Sequence, residues 1–204
     1  MNAPLLDWGV ASRALPGEAE SGDHHLVKLF PSGALAAVVD GLGHGDEAAS
    51  AAKAALKTLE SYAQDPGISL LKRCHESIRT TRGAVMSLAT FSAIEGTMTW
   101  LGVGNVEGLL IRSDAEVRPR YESLLLRRGV VGSRLPPLYA TVLPVMRGDT
   151  LVFVTDGIRS GFERGLTLTE PPQQIAKGIL ARHILGTDDA LVLVVRYIGN
   201  THED

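Results

Sequence analysis

The stretch His24-His25-Leu26-Val27-Lys28-Leu29-Phe30, Pro31-Ser32-Gly33, Ala34-Leu35-Ala36-Ala37-Val38-Val39-Asp40 sets the frame for the whole chain. Two runs of strand length flank a Pro-Ser-Gly turn, which predicts a β-hairpin whose second strand ends on an aspartate. Upstream, Asp7 to Ala14 reads as another short strand, set off by the polar turn Pro16-Gly17-Glu18-Ala19-Glu20-Ser21-Gly22. Downstream, Asp46 to Leu59 is filled with Ala, Leu and Lys, which favour helix. After the break at Asp65-Pro66-Gly67, a second helical pattern runs from Ile68 to about Thr81.

Beyond the helices the pattern returns to strands. Val85 to Glu95, Thr97 to Gly102 and Val106 to Arg112, separated by turns at Glu95-Gly96 and Gly104-Asn105 and closed by one at Ser113-Asp114, read as an antiparallel meander. Tyr121 to Pro137 has no clear period. Tyr139 to Val145 and Thr150 to Val154 read as strands around Arg147-Gly148-Asp149, Gln173 to Ile184 as a helix, and Ala190 to Ile198 as the last strand. Helices that come grouped, rather than one after each strand, predict an α+β fold of antiparallel sheets covered by helices over a parallel doubly wound sheet. Without an internal repeat, low-complexity tract or linker, a single domain over residues 1–204 is expected.

Composition narrows the function. In 204 residues, 45% are hydrophobic and 21% charged, which excludes disordered and fibrous classes. Twenty Lys+Arg against 23 Asp+Glu leave a net charge of −3, and no basic run is longer than Arg127-Arg128. That pattern predicts no nucleic-acid partner and no anionic membrane surface. The one cysteine, Cys74, has no intramolecular partner, and neither a signal-peptide pattern nor a membrane-length apolar run is present, so a cytoplasmic protein is expected.

Four acidic positions sit at the ends of strand-like runs: Ser21-Gly22-Asp23, Val38-Val39-Asp40-Gly41, Val154-Thr155-Asp156-Gly157 and Gly186-Thr187-Asp188-Asp189. A single Asp-Gly is most simply a turn. Several carboxylates gathered at one edge of a sheet, however, form an oxygen donor set suited to Mg²⁺ or Mn²⁺ and to hydrolysis of a phosphate ester. After Asp40 comes Gly41-Leu42-Gly43-His44-Gly45, which lets backbone approach a metal or phosphate closely. It matches neither a P-loop nor a dinucleotide fingerprint.

These four motifs, in this order from residue 21 to residue 189, resemble the PPM (protein phosphatase 2C-like) family of metal-dependent serine/threonine phosphatases, and most of all its compact bacterial SpoIIE/RsbX-like branch. The resemblance implies a β-sandwich flanked by helices, binding two Mn²⁺ or Mg²⁺ ions. By motif position, Asp40, Asp156 and Asp188 are the catalytic acids. Asp23, Asp40, Gly41 (through its carbonyl), Asp156 and Asp188 are the metal ligands, and His44 and Asp189 are supporting residues around them. The resemblance to the small RsbX-like members also implies the partners: phosphorylated STAS-domain proteins (RsbR/RsbS-like) of a bacterial stressosome, on which the enzyme exerts negative feedback.

One departure stands out, because the late family motif commonly ends in Thr where this chain has Leu191. The alternative it raises is a noncatalytic phosphoprotein-binding module of the same fold. Other features have simpler readings. Asp23-His24-His25 spells the signature of DHH phosphoesterases, yet the upstream Asp-x-Asp and later glycine-rich histidine motif of that class are missing. Cys74 lacks the Cys-x₅-Arg pattern of thiol phosphatases and reads as a buried structural thiol. Arg127-Arg128 and Arg118-Pro119-Arg120 read as solvated turns, with contact to an acidic phosphoprotein as the second possibility.

Overall fold

The computed structural model of the protein describes residues 4–199. The chain lays down β1 (Leu6–Arg13) and then the hairpin of β2 (Asp23–Phe30) and β3 (Gly33–Gly41). The register runs from Phe30 opposite Gly33 to Asp23 opposite Asp40, so the tight turn determines which acids meet at the open end. A Cβ on Gly33 would lie 2.0 Å from the Phe91 carbonyl oxygen, and only glycine fits there.

Two helices follow, α1 (Asp46–Ser61) and α2 (Gly67–Ser77). α1 buries Ala48, Ala52, Ala55 and Leu59, one stripe at helical spacing whose small side chains bring the helix close to the sheet. α2 stops at Ser77 rather than near Thr81. Ile78 turns fully into the core, and the Thr81 hydroxyl donates to the Ile78 carbonyl, closing a turn where a further helical bond would stand.

The remaining elements are β4 (Ala84–Ser92), β5 (Thr97–Val103), β6 (Glu107–Ile111), β7 (Tyr121–Ser123), β8 (Leu126–Arg127), β9 (Thr141–Pro144), β10 (Thr150–Val154), α3 (Pro172–His183) and β11 (Ala190–Tyr197). They complete two sheets, ordered β1-β11-β10-β6-β7 and β2-β3-β4-β5-β8, with β9 also pairing β5. The expected meander is therefore corrected. β4 and β5 pair antiparallel, but β6 crosses to the other sheet and lies beside β10. The crossing turns on Gly104, whose φ of 103° suits glycine and where a Cβ would stand 2.2 Å from Val85 side-chain carbons. The unpatterned stretch after Tyr121 forms two strands too short to show a period, of which β8 runs parallel to β5.

Three apolar layers hold the elements together. Between the sheets lie Phe91, Trp100, Phe153, Leu191 and Leu193. Leu35, Val39, Leu59 and Leu70 join one sheet to α1 and α2, and Val152, Val154, Ile175 and Val192 join the other to α3. The result is the expected antiparallel sandwich with helices on both outer faces. Because both faces of each sheet are covered, β3, β10 and β11 carry nearly unbroken apolar runs. Among the described residues, no helix is long and apolar enough to cross a membrane.

Candidate metal centre

Strand ends deliver the acids to one end of the sandwich. Asp23 opens β2 directly opposite Asp40 near the end of β3. In the other sheet Val154 faces Val192, so the residues after β10 and those before β11 leave side by side. There Gly157 lets the two loops touch, since a Cβ on it would stand 2.0 Å from the Asp189 carbonyl oxygen. Each sheet thus contributes two of the four acidic motifs.

Asp40, Asp156 and Asp188 line a cleft of about 450 Å³, together with His44, Asn105 and Arg128. A larger cavity of about 650 Å³ adjoins β6 and β7 but includes none of the converging aspartates, so the smaller one is the candidate site. Asp23, Gly41 and Asp189 stand outside the cleft lining. Asp23 is 5% exposed, and its Oδ2 accepts a 2.7 Å bond from the Thr155 hydroxyl. Gly41 marks the contact of β3 with α1: a Cβ there would meet the Ala48 carbonyl oxygen at 2.0 Å. His44 lines the cleft with Nδ1 at 2.6 Å from Glu18 Oε1.

Asp189 is a brace for the neighbouring loops. Its Oδ1 accepts from the Leu15 N–H and its Oδ2 from the Gly22 N–H, both at 2.7 Å. The second bond holds the backbone next to Asp23. Asp188 folds inward on the same turn, its Oδ1 accepting from the Asp189 N–H at 2.8 Å. Across the cleft, Asn105 Nδ2 donates to Asp156 Oδ2 at 2.7 Å.

Crowding shows in the protonation of these groups. Burial pushes the Asp40 carboxyl up to about 9, with further upward pressure from Asp23, Asp156, Asp188 and Asp189. Burial likewise pushes Asp23 up to about 7; the Thr155 hydrogen bond opposes this, and Asp189, Asp156 and Asp188 add to it. Asp156 is raised by burial and by Asp188, against the Asn105 bond. The Asp40 carboxylate makes no hydrogen bond or ion pair among the described residues. Crowded, mutually repelling carboxylate oxygens without an ion-pair partner among the described residues fit a hard divalent ion. Among the described residues no three acidic, His or Cys side chains are grouped so as to hold a metal ion, so the fit rests on donor chemistry and on the unmet charge of Asp40.

Three residues at the site escape sequence reading. Thr155 lies inside a quoted motif, one position before Asp156, and its hydroxyl next to an acid was the available signal. Asn105 carries no sequence mark, and Arg128 is marked only through the Arg127-Arg128 pair, as a second-choice phosphoprotein contact, with nothing tying it to the acids. Other candidates have structural roles. His24 and His25 are partly buried, and burial holds both below the ordinary histidine value; neither lines the cleft. Cys74 is buried in α2, where desolvation pushes its thiol up to about 12 and leaves it unreactive. Arg127 stacks on Tyr139 with its guanidinium carbon 4.5 Å from the ring centre, and Arg118 donates to carbonyls of its own loop.

Comparison with known proteins agrees with this geometry. The profile of SpoIIE (Stage II sporulation protein E) matches residues 31–198. Phosphoserine phosphatase RsbX of Bacillus subtilis (strain 168) is 28% identical over 160 residues, covering 76% of this chain and 78% of that protein. A structure from work on the bacterial stressosome as a modular system adapted to control secondary messenger signaling superposes with a TM-score of 0.85 at 29% identity, covering 94% of this chain and 99% of that one. RsbX in complex with magnesium gives a TM-score of 0.82 at 21% identity over 96% and 99% of the two chains, a likeness of fold.

Proposed function

The chain belongs to the SpoIIE family, and from that premise we propose that it is a metal-dependent protein-serine/threonine phosphatase of the PPM type. The observation that carries the reading is the Asp40 carboxylate, half-buried, without a hydrogen-bond or ion-pair partner among the described residues, and directly opposite Asp23 at the open end of the hairpin. In this reading Asp40, Asp23, Asp156, Asp188 and the Gly41 carbonyl would hold Mn²⁺ or Mg²⁺, two ions in all, and Asp40, Asp156 and Asp188 would be the acids on which turnover depends. When bound, the ions supply charge neutralisation at the phosphoryl group and an acidified water. The chain itself does the rest. Asn105 aims Asp156, Asp189 fixes the loops bearing Asp23 and Asp188, and His44 closes the rim of the cleft against Glu18.

The substrate class in this reading is phosphoserine or phosphothreonine on STAS-domain proteins of a stressosome, RsbR/RsbS-like, with dephosphorylation as negative feedback. It is supported by the similarity to RsbX and to the stressosome structure. A cytoplasmic setting fits the single cysteine.

The test is phosphate release from phosphoserine and phosphothreonine STAS-domain substrates with Mn²⁺, with Mg²⁺ or with chelator, for wild type and Asp40→Asn. Metal-dependent release abolished by Asp40→Asn is expected. Release that survives both chelation and the substitution would overturn the assignment. Binding of the phosphoprotein without release would instead establish the noncatalytic module.

A further inference from the structure

We propose that Arg128 grips the phosphoryl group of substrate and product, a role beyond the carboxylate set and resting on the phosphatase reading of the cleft. Arg128 lines the same cavity as Asp40, Asp156 and Asp188, and it is the one Lys or Arg among the described residues that does so. It makes no hydrogen bond or ion pair among the described residues, so its guanidinium lies beyond 4.0 Å from each of those carboxylates. An exposed arginine on the same cleft as three acids, bonded to none of them, leaves room between them for a third party. A tetrahedral dianion with oxygens for a planar fork of N–H donors is the group that suits both sides, once cations sit on the acids.

The backbone around Arg128 is fixed, so the fold sets the place on the cleft from which this exposed side chain extends. The Gly104 N–H donates to the Arg127 carbonyl at 2.8 Å. Three residues past Arg128, Val131 exchanges two hydrogen bonds with Ala84, at 2.8 and 3.0 Å, and Ala84 in turn pairs with Gly41, the neighbour of Asp40. Between these anchors Gly129 allows a close turn, since a Cβ there would lie 2.6 Å from Pro136 Cδ and 2.7 Å from the Arg134 carbonyl oxygen. Position 128 is thus keyed to the strand row that carries Asp40.

Its neighbours are committed elsewhere. Arg127 is stacked on Tyr139, Asn105 donates to Asp156, and His44 is paired with Glu18. Arg128 alone keeps its donors for a ligand. Phosphate approaches a cleft whose acids repel it until they are offset by divalent ions. A guanidinium carried on the same cleft supplies attraction that does not depend on those acids.

The experiment compares wild type, Arg128→Ala and Arg128→Lys, each saturated with Mg²⁺, in two assays. Binding of inorganic phosphate by calorimetry needs no turnover, and steady-state hydrolysis of p-nitrophenyl phosphate and of a phosphoserine protein gives KM and kcat. Arg128→Ala is expected to weaken phosphate binding and raise KM for both substrates by about tenfold or more, with Mg²⁺ affinity within twofold of wild type. Arg128→Lys is expected to recover part of the loss. Phosphate affinity unchanged in Arg128→Ala, or no phosphate binding by the wild-type Mg²⁺ form, overturns the proposal. So does a defect confined to the phosphoprotein, which would make Arg128 a docking residue. Arg128-dependent phosphate binding in a wild type that hydrolyses neither substrate would sink the phosphatase reading and leave this one standing.

Discussion

Thr155 and Leu191 face one another across the end of β10 and the start of β11, joined by a reciprocal pair of hydrogen bonds. The Thr155 N–H donates to the Leu191 carbonyl at 3.1 Å, and the Leu191 N–H donates to Thr155 Oγ1 at 2.8 Å. With an oxygen lone pair so occupied, the hydroxyl directs its proton across the sandwich to Asp23 Oδ2. The hydroxyl that the family motif commonly carries at position 191 is here on its cross-strand neighbour, on the same inward face.

Thr155→Val removes the one side-chain donor to the Asp23 carboxylate among the described residues and leaves the Leu191 N–H without its acceptor. Second-sphere losses of this kind weaken metal binding by about 10–100-fold, and a loss in that range is expected for Mn²⁺ by calorimetry. Thr155→Ser should stay near wild type, and Thr155→Val combined with Leu191→Thr should regain affinity. An unchanged Mn²⁺ affinity in Thr155→Val would show that Asp23 needs no such guide.

Asp189→Ala should act on stability first. It strips the Leu15 and Gly22 N–H groups of their acceptor in a largely buried setting, at a cost of about 2 kcal/mol or more. A shifted urea midpoint in the metal-free protein checks this. An unshifted midpoint with lost metal binding would instead make Asp189 a direct ligand.

Far from the cleft, Arg112 is buried between Glu122 and Asp149, donating to Asp149 Oδ2 at 3.0 Å. Asp149 also accepts from the Ser113 N–H, the Ser113 hydroxyl and the Met146 N–H. Asp149→Ala leaves a buried guanidinium short of a partner and is expected to cost about 3–5 kcal/mol, read by urea unfolding. Metal affinity of the folded variant at low temperature should match wild type.

The raised acids set a pH dependence for the metal-free protein. Asp23 and Asp40, with ordinary values near 3.8, hold protons in the fold up to about 7 and about 9. Between those limits the folded chain binds more protons than the unfolded one, so stability falls as pH rises. His24 and His25, depressed by burial, work in the opposite sense but are spent by about pH 6.5. The urea midpoint of chelated protein should therefore drop between pH 7 and pH 9, and saturating Mg²⁺ should flatten or reverse the drop, since metal binding displaces those protons. A midpoint that climbs across this interval without metal would contradict the crowded-acid picture.

Much of the fold was legible because periodicity and turn chemistry are local. The Pro31-Ser32-Gly33 hairpin, the alanine-rich α1 and the apolar β10 and β11 could be read from adjacent residues alone. The transfer of β6 to the second sheet could not, since it depends on how Gly104 packs against Val85 across the fold. The acids at strand ends were visible as a recurring pattern. Their supports were not: Asn105 and Asp156 are 51 positions apart, Thr155 and Asp23 132, and Gly22 and Asp189 167. Such pairs come into being only when the two sheets close on each other.

The strand order has a consequence for the timing of activity. β11, the last strand of the described chain, is inserted between β1, the first, and β10. Asp188 and Asp189 enter just ahead of it, bracing loops formed long before. A nascent or truncated chain ending before Asp188 lacks both the middle of one sheet and half of the far acidic pair, so it emerges inert. The reading thus makes phosphate removal a late event in biogenesis, switched on by completion of the sandwich and withheld from every shorter fragment.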